Sequence, residues 1–265
     1  WHRGDPLSFC RTRSGDRRSP PTRYSGINER RSAVTKTSEA MRSNWLSEAI
    51  TAEAIRRLPQ SLFGQAIFAA GLGLMVVAGA GLPSWEILHQ GLGKVFGITI
   101  GQAAQLSGLV VILLWIPIRQ RPGLGTLSNI VAIGWVMDIV IRGLGLLGLP
   151  TDLWTSNQQP LAILFTLVGT ALVGLGSGIY IGSGNGPGPR DGLMTGLHRR
   201  TGRQIWQVRT VIEVVVGVLG FALGGTFGFG TIWFAFTIGP QVQFWLTRLD
   251  RAGRAEAQAA LADRR

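Results

Sequence analysis

Two carboxylates occupy matching places in this chain. Glu86 follows Pro83 by three residues in Gly81-Leu82-Pro83-Ser84-Trp85-Glu86-Ile87-Leu88, and Asp191 follows Pro189 by two in Gly186-Pro187-Gly188-Pro189-Arg190-Asp191-Gly192-Leu193. Gly and Pro end one helix and permit another to start, so each carboxylate falls in the first turn of the next helix. There it complements unsatisfied N–H groups and the helix dipole, a gain of about 0.3–1 kcal/mol. The same placement suits a re-entrant or broken helix whose end faces a central cavity, where a cation, proton or polar substrate binds. Both readings stand on the residues. Glu86, Asp191 and the adjoining Arg190 are therefore candidate substrate-binding residues.

Two further charge pairs lie in apolar surroundings. Asp138 and Arg142 are four apart, as are Arg209 and Glu213. That spacing puts both partners on one helical face, where each can neutralise the other as a structural ion pair. Pairing matters because an isolated charge at mid-bilayer costs about 2.5–3.5 kcal/mol on insertion scales. Asp138 lies near the middle of its apolar segment, so it is also a candidate contact for substrate. His89 and His198 have no Cys or carboxylate cluster at metal-ligand spacing, and no Gly-x-Ser-x-Gly nucleophile motif occurs. The glycine run 182–188 follows an apolar segment with no strand before it, so it is not a dinucleotide fingerprint. No metal, cofactor or enzymatic activity is expected.

The elements that must position these groups are duplicated. Shifted by 105 residues, Leu62–Gly134 aligns without a gap on Leu167–Gly239 and gives 21 identities in 73 positions. Gly71/Gly176, Gly73/Gly178, Gly79/Gly184, Gly81/Gly186 and Gly97/Gly202 coincide, and Glu86 meets Asp191. Internal duplication is the weak symmetry on which many transporters are built.

Charge is scarce. The chain is 15% charged and 46% hydrophobic, against about a quarter charged in soluble domains. No Asp, Glu, Lys or Arg occurs in 58–85, 95–118, 153–189 or 214–247. A span needs about 20 mainly apolar residues. Six are expected: Leu62–Leu82, Ile98–Ile118, Leu127–Leu149, Leu161–Gly182, Ile205–Leu223 and Phe229–Leu246, the last two divided at Gly224-Gly225-Thr226-Phe227-Gly228. The fold class is thus all-α, a polytopic membrane helix bundle.

Positive residues orient it. With the N-terminus cytoplasmic, 15 basic residues from Met41 onward fall inside; Lys94 alone falls outside, and Arg142 lies within a span. The loop around Lys94 is poor in positive charge, whereas its counterpart at 198–203 is rich in it. Three crossings per copy would turn the second copy upside down, giving a 3+3 inverted repeat with both termini cytoplasmic.

Residues 1–40 carry nine basic and four acidic residues without apolar periodicity, so they cannot bury enough surface to fold alone. They are expected to be a disordered basic tail or a start-site artefact, with translation starting naturally at Met41. Residues 41–60 read as an interfacial amphipathic helix, with Trp45, Leu46, Ile50, Ile55 and Leu58 at helical spacing. Residues 61–150 and 160–247 form the two membrane repeats, and 248–265 a cytoplasmic basic tail. The single cysteine, Cys10, can form no intrachain disulfide.

Three runs resemble the bacterial YczE membrane proteins, which are similar in turn to the broader YitT-like group. They are residues 85–92 (WEILHQGL), 114–126 (LWIPIRQRPGLGT) and 180–197 (YIGSGNGPGPRDGLMTGL). The resemblance covers about 58 to 245 and implies a multi-spanning protein of the bacterial inner membrane; it supplies no binding residues. The expected function is a small transporter or channel-like protein, with the lipid bilayer and an unknown small solute or ion as partners and a homodimer allowed. The alternative is a non-transporting membrane partner or regulatory protein acting through its basic loop 190–209. Nucleic acid is not an expected partner, because topology alone accounts for the positive charge.

The sidedness is testable. With Cys10 replaced, single cysteines at Gly93 and Thr201 should react with a membrane-impermeant thiol reagent from opposite faces. Labelling from one face would mean an even number of crossings per copy.

Overall fold

The computed structural model describes residues 51–120 and 122–249. The basic tail 1–40, residues 41–50 and the C-terminal tail from residue 250 therefore lie outside the described residues. What is described is helical, with no strand among the described residues. The helices are α1 (Ala52–Ala78), α2 (Ser84–Phe96), α3 (Ile100–Ile118), α4 (Leu124–Leu146), α5 (Gln159–Gly182), α6 (Pro189–Thr201), α7 (Ile205–Ala222) and α8 (Phe229–Leu249).

The duplication governs these boundaries. The starts of α2 and α6, of α3 and α7, and of α4 and α8 each differ by the same 105 residues that align the sequence. The reason is local. Gly79 and Gly184 take positive φ of 67° and 70°, Gly81 and Gly186 of 114° and 118°, and Gly97 and Gly202 of 66° each. Only glycine adopts these values without strain, so identical glycines stop the helices at identical places.

The structure bears on three sequence expectations. Of the segment 41–60, residues 41–50 lie outside the described residues; residues 52–60 are the opening turns of α1, which starts at the N-cap Thr51 and runs on through Pro59. The supposed loops at Lys94 and 198–203 are largely helix. Lys94 lies in the last turn of α2, and His198, Arg199 and Arg200 in the last turn of α6, where cations complement the exposed carbonyls. Finally, α1, α3, α4, α5 and α7 are long and apolar enough to cross a membrane. Helix α8 is not among them, and its second half carries Gln241, Gln243, Thr247 and Arg248. The division between α7 and α8 falls where the glycines placed it, with Gly224 at φ 90°.

The centre is the pair α1 and α5. Gly64 lies against Gly176, and Gly71 against Gly169, in reversed chain order, so the two helices run antiparallel. A Cβ at Gly176 would lie 2.5 Å from the Phe68 nitrogen and 2.6 Å from the Gly64 oxygen. The backbones touch, and small residues allow it. Around this pair, α4 packs on α1 and α8 on α5. The buried Gln65 ties α1 to α4, donating to Gly125 O at 3.1 Å and Ser128 Oγ at 3.2 Å.

The copies also exchange partners. Gly125 N donates to Asn185 O at 2.8 Å, and the equivalent Gly230 N donates to Ala80 O at 2.8 Å. Helix α2 packs on α7, with Gly220 against Leu88; α6 packs on α3, with Gly192 against Trp115. Each contact thus has a counterpart with the copies swapped.

The close approach sets a stability prediction. Gly176→Ala should lower the unfolding midpoint of the purified protein, because α1 would have to move away. Gly143→Ala, where the added carbon meets nothing within 4 Å, should leave the midpoint unchanged or raise it slightly. Equal effects would show that the glycine contact is not what holds the pair together.

Candidate functional site

The two segments singled out for their carboxylates begin α2 and α6, and the chain brings them together. A cavity of about 290 Å³ lies between them and is lined by Glu86, Arg190, Asp191, Arg209 and Glu213 among the described residues. Its volume is close to the lower end, about 300 Å³, of small-molecule sites. Its walls are largely apolar, including Phe68, Leu72, Ile133, Phe234 and Ile238.

Among the described residues Glu86 is the most enclosed charge, only 1% exposed. Arg190 meets it with two nitrogens, Nη2 to Oε1 at 2.5 Å and Nη1 to Oε2 at 3.4 Å. A fork-shaped guanidinium suits a carboxylate because two parallel bonds form at once. The pair joins the copies, since Glu86 opens α2 and Arg190 opens α6. Arg190 also lies over the ring of Trp85, 5.1 Å from its centroid. Trp85 and Arg190 are equivalent positions of the duplication, so this cation–π contact sets one copy's residue on its own counterpart.

Behind Glu86 lies His89. Its Nδ1 is 3.8 Å from Glu86 Oε1 and has no hydrogen-bond partner. Its Nε2 meets Ser107 Oγ at 2.7 Å, which fastens α2 to α3. Asp191 is held more lightly: Tyr180 Oη donates to Oδ2 at 3.3 Å. The charges of Arg209 and Arg190 also act on it.

The remaining predicted residues separate. Asp138 does not line the cavity. Its carboxylate accepts from Thr99 Oγ1 at 2.5 Å and from Gly101 N at 2.9 Å, which makes it a cap on the start of α3. Arg142 is exposed on α4 and forms no ion pair with Asp138 among the described residues. The orphan N–H groups at the helix start outbid it. Arg209 and Glu213 likewise form no ion pair with each other among the described residues; both face the cavity instead. Of the basic stretch after α6, Arg199 donates to Gln120 Oε1 and Arg200 to Pro117 O, so both engage the end of α3.

Tyr180, Ser107 and Trp85 escaped the sequence reading as site residues. Tyr180 is 11 residues before Asp191 and Ser107 is 18 after His89. Neither spacing is a motif, and only helix packing brings the partners together.

The apolar helices and the charges they enclose define a polytopic all-α membrane protein. The chain belongs to a family of unknown function, DUF6198, whose model matches residues 55–247. It is 36% identical over 210 residues to an uncharacterized protein of Haemophilus influenzae, covering 79% of this chain and 92% of that one. It is 34% identical over 185 residues to the uncharacterized membrane protein YczE of Bacillus subtilis, covering 69% and 82%. A third relative, the uncharacterized protein YyaS of the same organism, is 26% identical over 178 residues, covering 64% and 82%. The YczE resemblance is thereby shown; these matches do not bear on the YitT-like group. No solved structure matches the chain.

The Glu86–Arg190 pair carries a prediction. Arg190→Met leaves a buried carboxylate unpaired and should destabilise the protein by about 3–5 kcal/mol. The double variant Glu86→Gln/Arg190→Met should recover most of that loss in an unfolding assay. Additive losses would mean that the two side chains are not energetically coupled.

Proposed function

We propose that this membrane protein is a small transporter or channel-like protein that binds its substrate in the cavity between α2 and α6. On this reading it has six spans arranged as a 3+3 inverted repeat in the bacterial inner membrane, with both termini cytoplasmic. The short helices α2 and α6 enter from opposite sides and meet at the substrate. The protein is not an enzyme and uses no cofactor.

One observation carries the reading. The equivalent segments of the two copies, each bearing its carboxylate, converge on a single cavity where Arg190 bridges to Glu86 and covers its own counterpart Trp85. Helices of 13 residues are about 20 Å long, too short to cross the roughly 30 Å hydrocarbon core. Short helices whose ends face a midplane site are a recurring device of transporters built on inverted repeats. The antiparallel, copy-exchanging contacts of α1 with α5 support the inversion. Positive charge at the end of α6 and its scarcity at the end of α2 support the orientation.

The regulatory alternative assigns the work to Arg199, Arg200 and Arg203. The contacts of Arg199 and Arg200 with α3 weigh against it, because these side chains serve the chain's own fold.

Asp191→Asn is the decisive variant. Its carboxylate accepts one hydrogen bond among the described residues, from Tyr180, so the change should spare folding, whereas altering Glu86 disturbs the ion pair. Proteoliposomes would be screened for uptake of labelled inorganic ions, amines, amino acids and sugars. The variant should lose the flux that the parent chain supports, and neutralising Arg199, Arg200 and Arg203 should keep it. Full flux in Asp191→Asn, or no parent flux across the panel, would overturn the proposal.

A further inference from the structure

The two copies are equivalent in sequence register but not in how their last two helices close. In the first copy α3 packs along α4. Gly101 and Gly134 make this possible: a Cβ on Gly101 would lie 2.1 Å from the Gly134 oxygen, and one on Gly134 would lie 2.5 Å from the Gly101 oxygen. One on Gly108 would lie 3.0 Å from Ile130. In the second copy the positions of Gly101 and Gly108 are held by Trp206 and Glu213. Helices α7 and α8 do not pack along each other, and Gly239, the counterpart of Gly134, has nothing within 4 Å of where a Cβ would be. The opening is written into the residue types, since a tryptophan and a glutamate cannot pass where two glycines do.

This gap leads somewhere. On its inner side lie Arg209 and Glu213 of α7 with Phe234, Ile238 and Gln243 of α8, all lining the central cavity. Beside it runs an apolar groove between α7, the start of α2 and the turn before α8, lined by Ser84, Ile87, Val214, Val218, Phe221 and Phe227. Glu213 lines both. The outward face of α7 is largely exposed, with Val218 63% and Phe221 62% accessible, as a lipid-facing helix requires.

The charges select what passes. Among the described residues, the cavity holds three carboxylates, Glu86, Asp191 and Glu213, and two guanidiniums, Arg190 and Arg209. Glu86 and Arg190 neutralise each other at 2.5 Å. That leaves two carboxylates, Asp191 and Glu213, beside one guanidinium, Arg209, in a wall of apolar and aromatic groups. An uncompensated charge in such a place is expensive, and a ligand cation removes the cost. Tyr180 and Phe234 line the same cavity, and aromatic rings are partners for an ammonium group.

Building on the transport reading, we infer that the ligand is a hydrophobic amine, a single positive charge on an alkyl or aryl body, that enters sideways from the bilayer between α7 and α8. Its ammonium group sits among Glu213, Asp191 and Arg209, and its apolar body lies along Val214, Val218 and Phe221.

The test is calorimetric titration of the full chain in lipid nanodiscs, with empty nanodiscs subtracted. The probes are hexylamine, hexanol, hexanoate and methylamine. Hexylamine should bind saturably and at least about tenfold more tightly than the other three, a difference of about 1.4 kcal/mol. Glu213→Gln should weaken hexylamine about tenfold. Val218→Trp, which fills the outer groove, should weaken hexylamine and leave methylamine unchanged. Hexanol binding as tightly as hexylamine would mean that apolar filling alone is at work. Tighter hexanoate would mean that the arginines dominate. No saturable binding would mean that the gap is occluded, by a second copy or by lipid. Each of these results overturns the inference. Amine binding without flux would sink the transport reading and spare this site, whereas flux of another solute without amine binding would do the reverse.

Discussion

Everything in this molecule is arranged around the backbone contact between α1 and α5. Glycine at 64, 71, 169 and 176 lets two antiparallel helices approach until main-chain atoms meet. In a bilayer, lipid tails are as apolar as leucine, so burying side chains supplies little drive for helices to associate; close van der Waals contact supplies more. With these two helices in contact, their ends are placed, and with them the loops at 79–83 and 184–188. Those loops reach across to the starts of α8 and α4, where Gly230 and Gly125 donate to Ala80 and Asn185. The short helices that follow the loops then have one place to go, which is toward each other.

The site is a consequence of that convergence. The guanidinium–carboxylate pair in the cavity forms between Glu86 of one copy and Arg190 of the other. Divergence between the copies is what makes it useful. Had both kept the same residue at the position of Trp85 and Arg190, two cations or two indoles would meet there. Instead a guanidinium covers an indole and binds the neighbouring carboxylate. The same divergence closes one outer helix pair with glycines and leaves the other apart with Trp206 and Glu213.

Several residues show where linear reasoning stops. Asp138 and Arg142 have the spacing of a helical ion pair, yet Asp138 caps α3 through Thr99 and Gly101. Spacing along one helix says which side chains share a face; it does not say what that face meets. Donors from another helix that lack internal partners compete better than a flexible arginine facing outward. The same holds for Lys94, expected in a loop and found in the last turn of α2, where it donates to Gly224 O at 2.6 Å.

The sequence by itself determined the all-α membrane character, the duplication with its register, the break between α7 and α8, and the prominence of Glu86, Arg190 and Asp191. These follow from local physics: apolar length, glycine and proline at helix ends, and charges that apolar segments tolerate only for a reason. Only the tertiary structure decided that Glu86 and Arg190 bind each other across 104 residues of chain. The same is true of the roles of Tyr180 and Ser107, of Asp138 as a cap, and of α7 and α8 standing apart. Each depends on which helix faces meet, and that is settled by backbone approach at glycines far apart in the chain. Periodicity shows that a glycine face exists; packing alone shows what it touches.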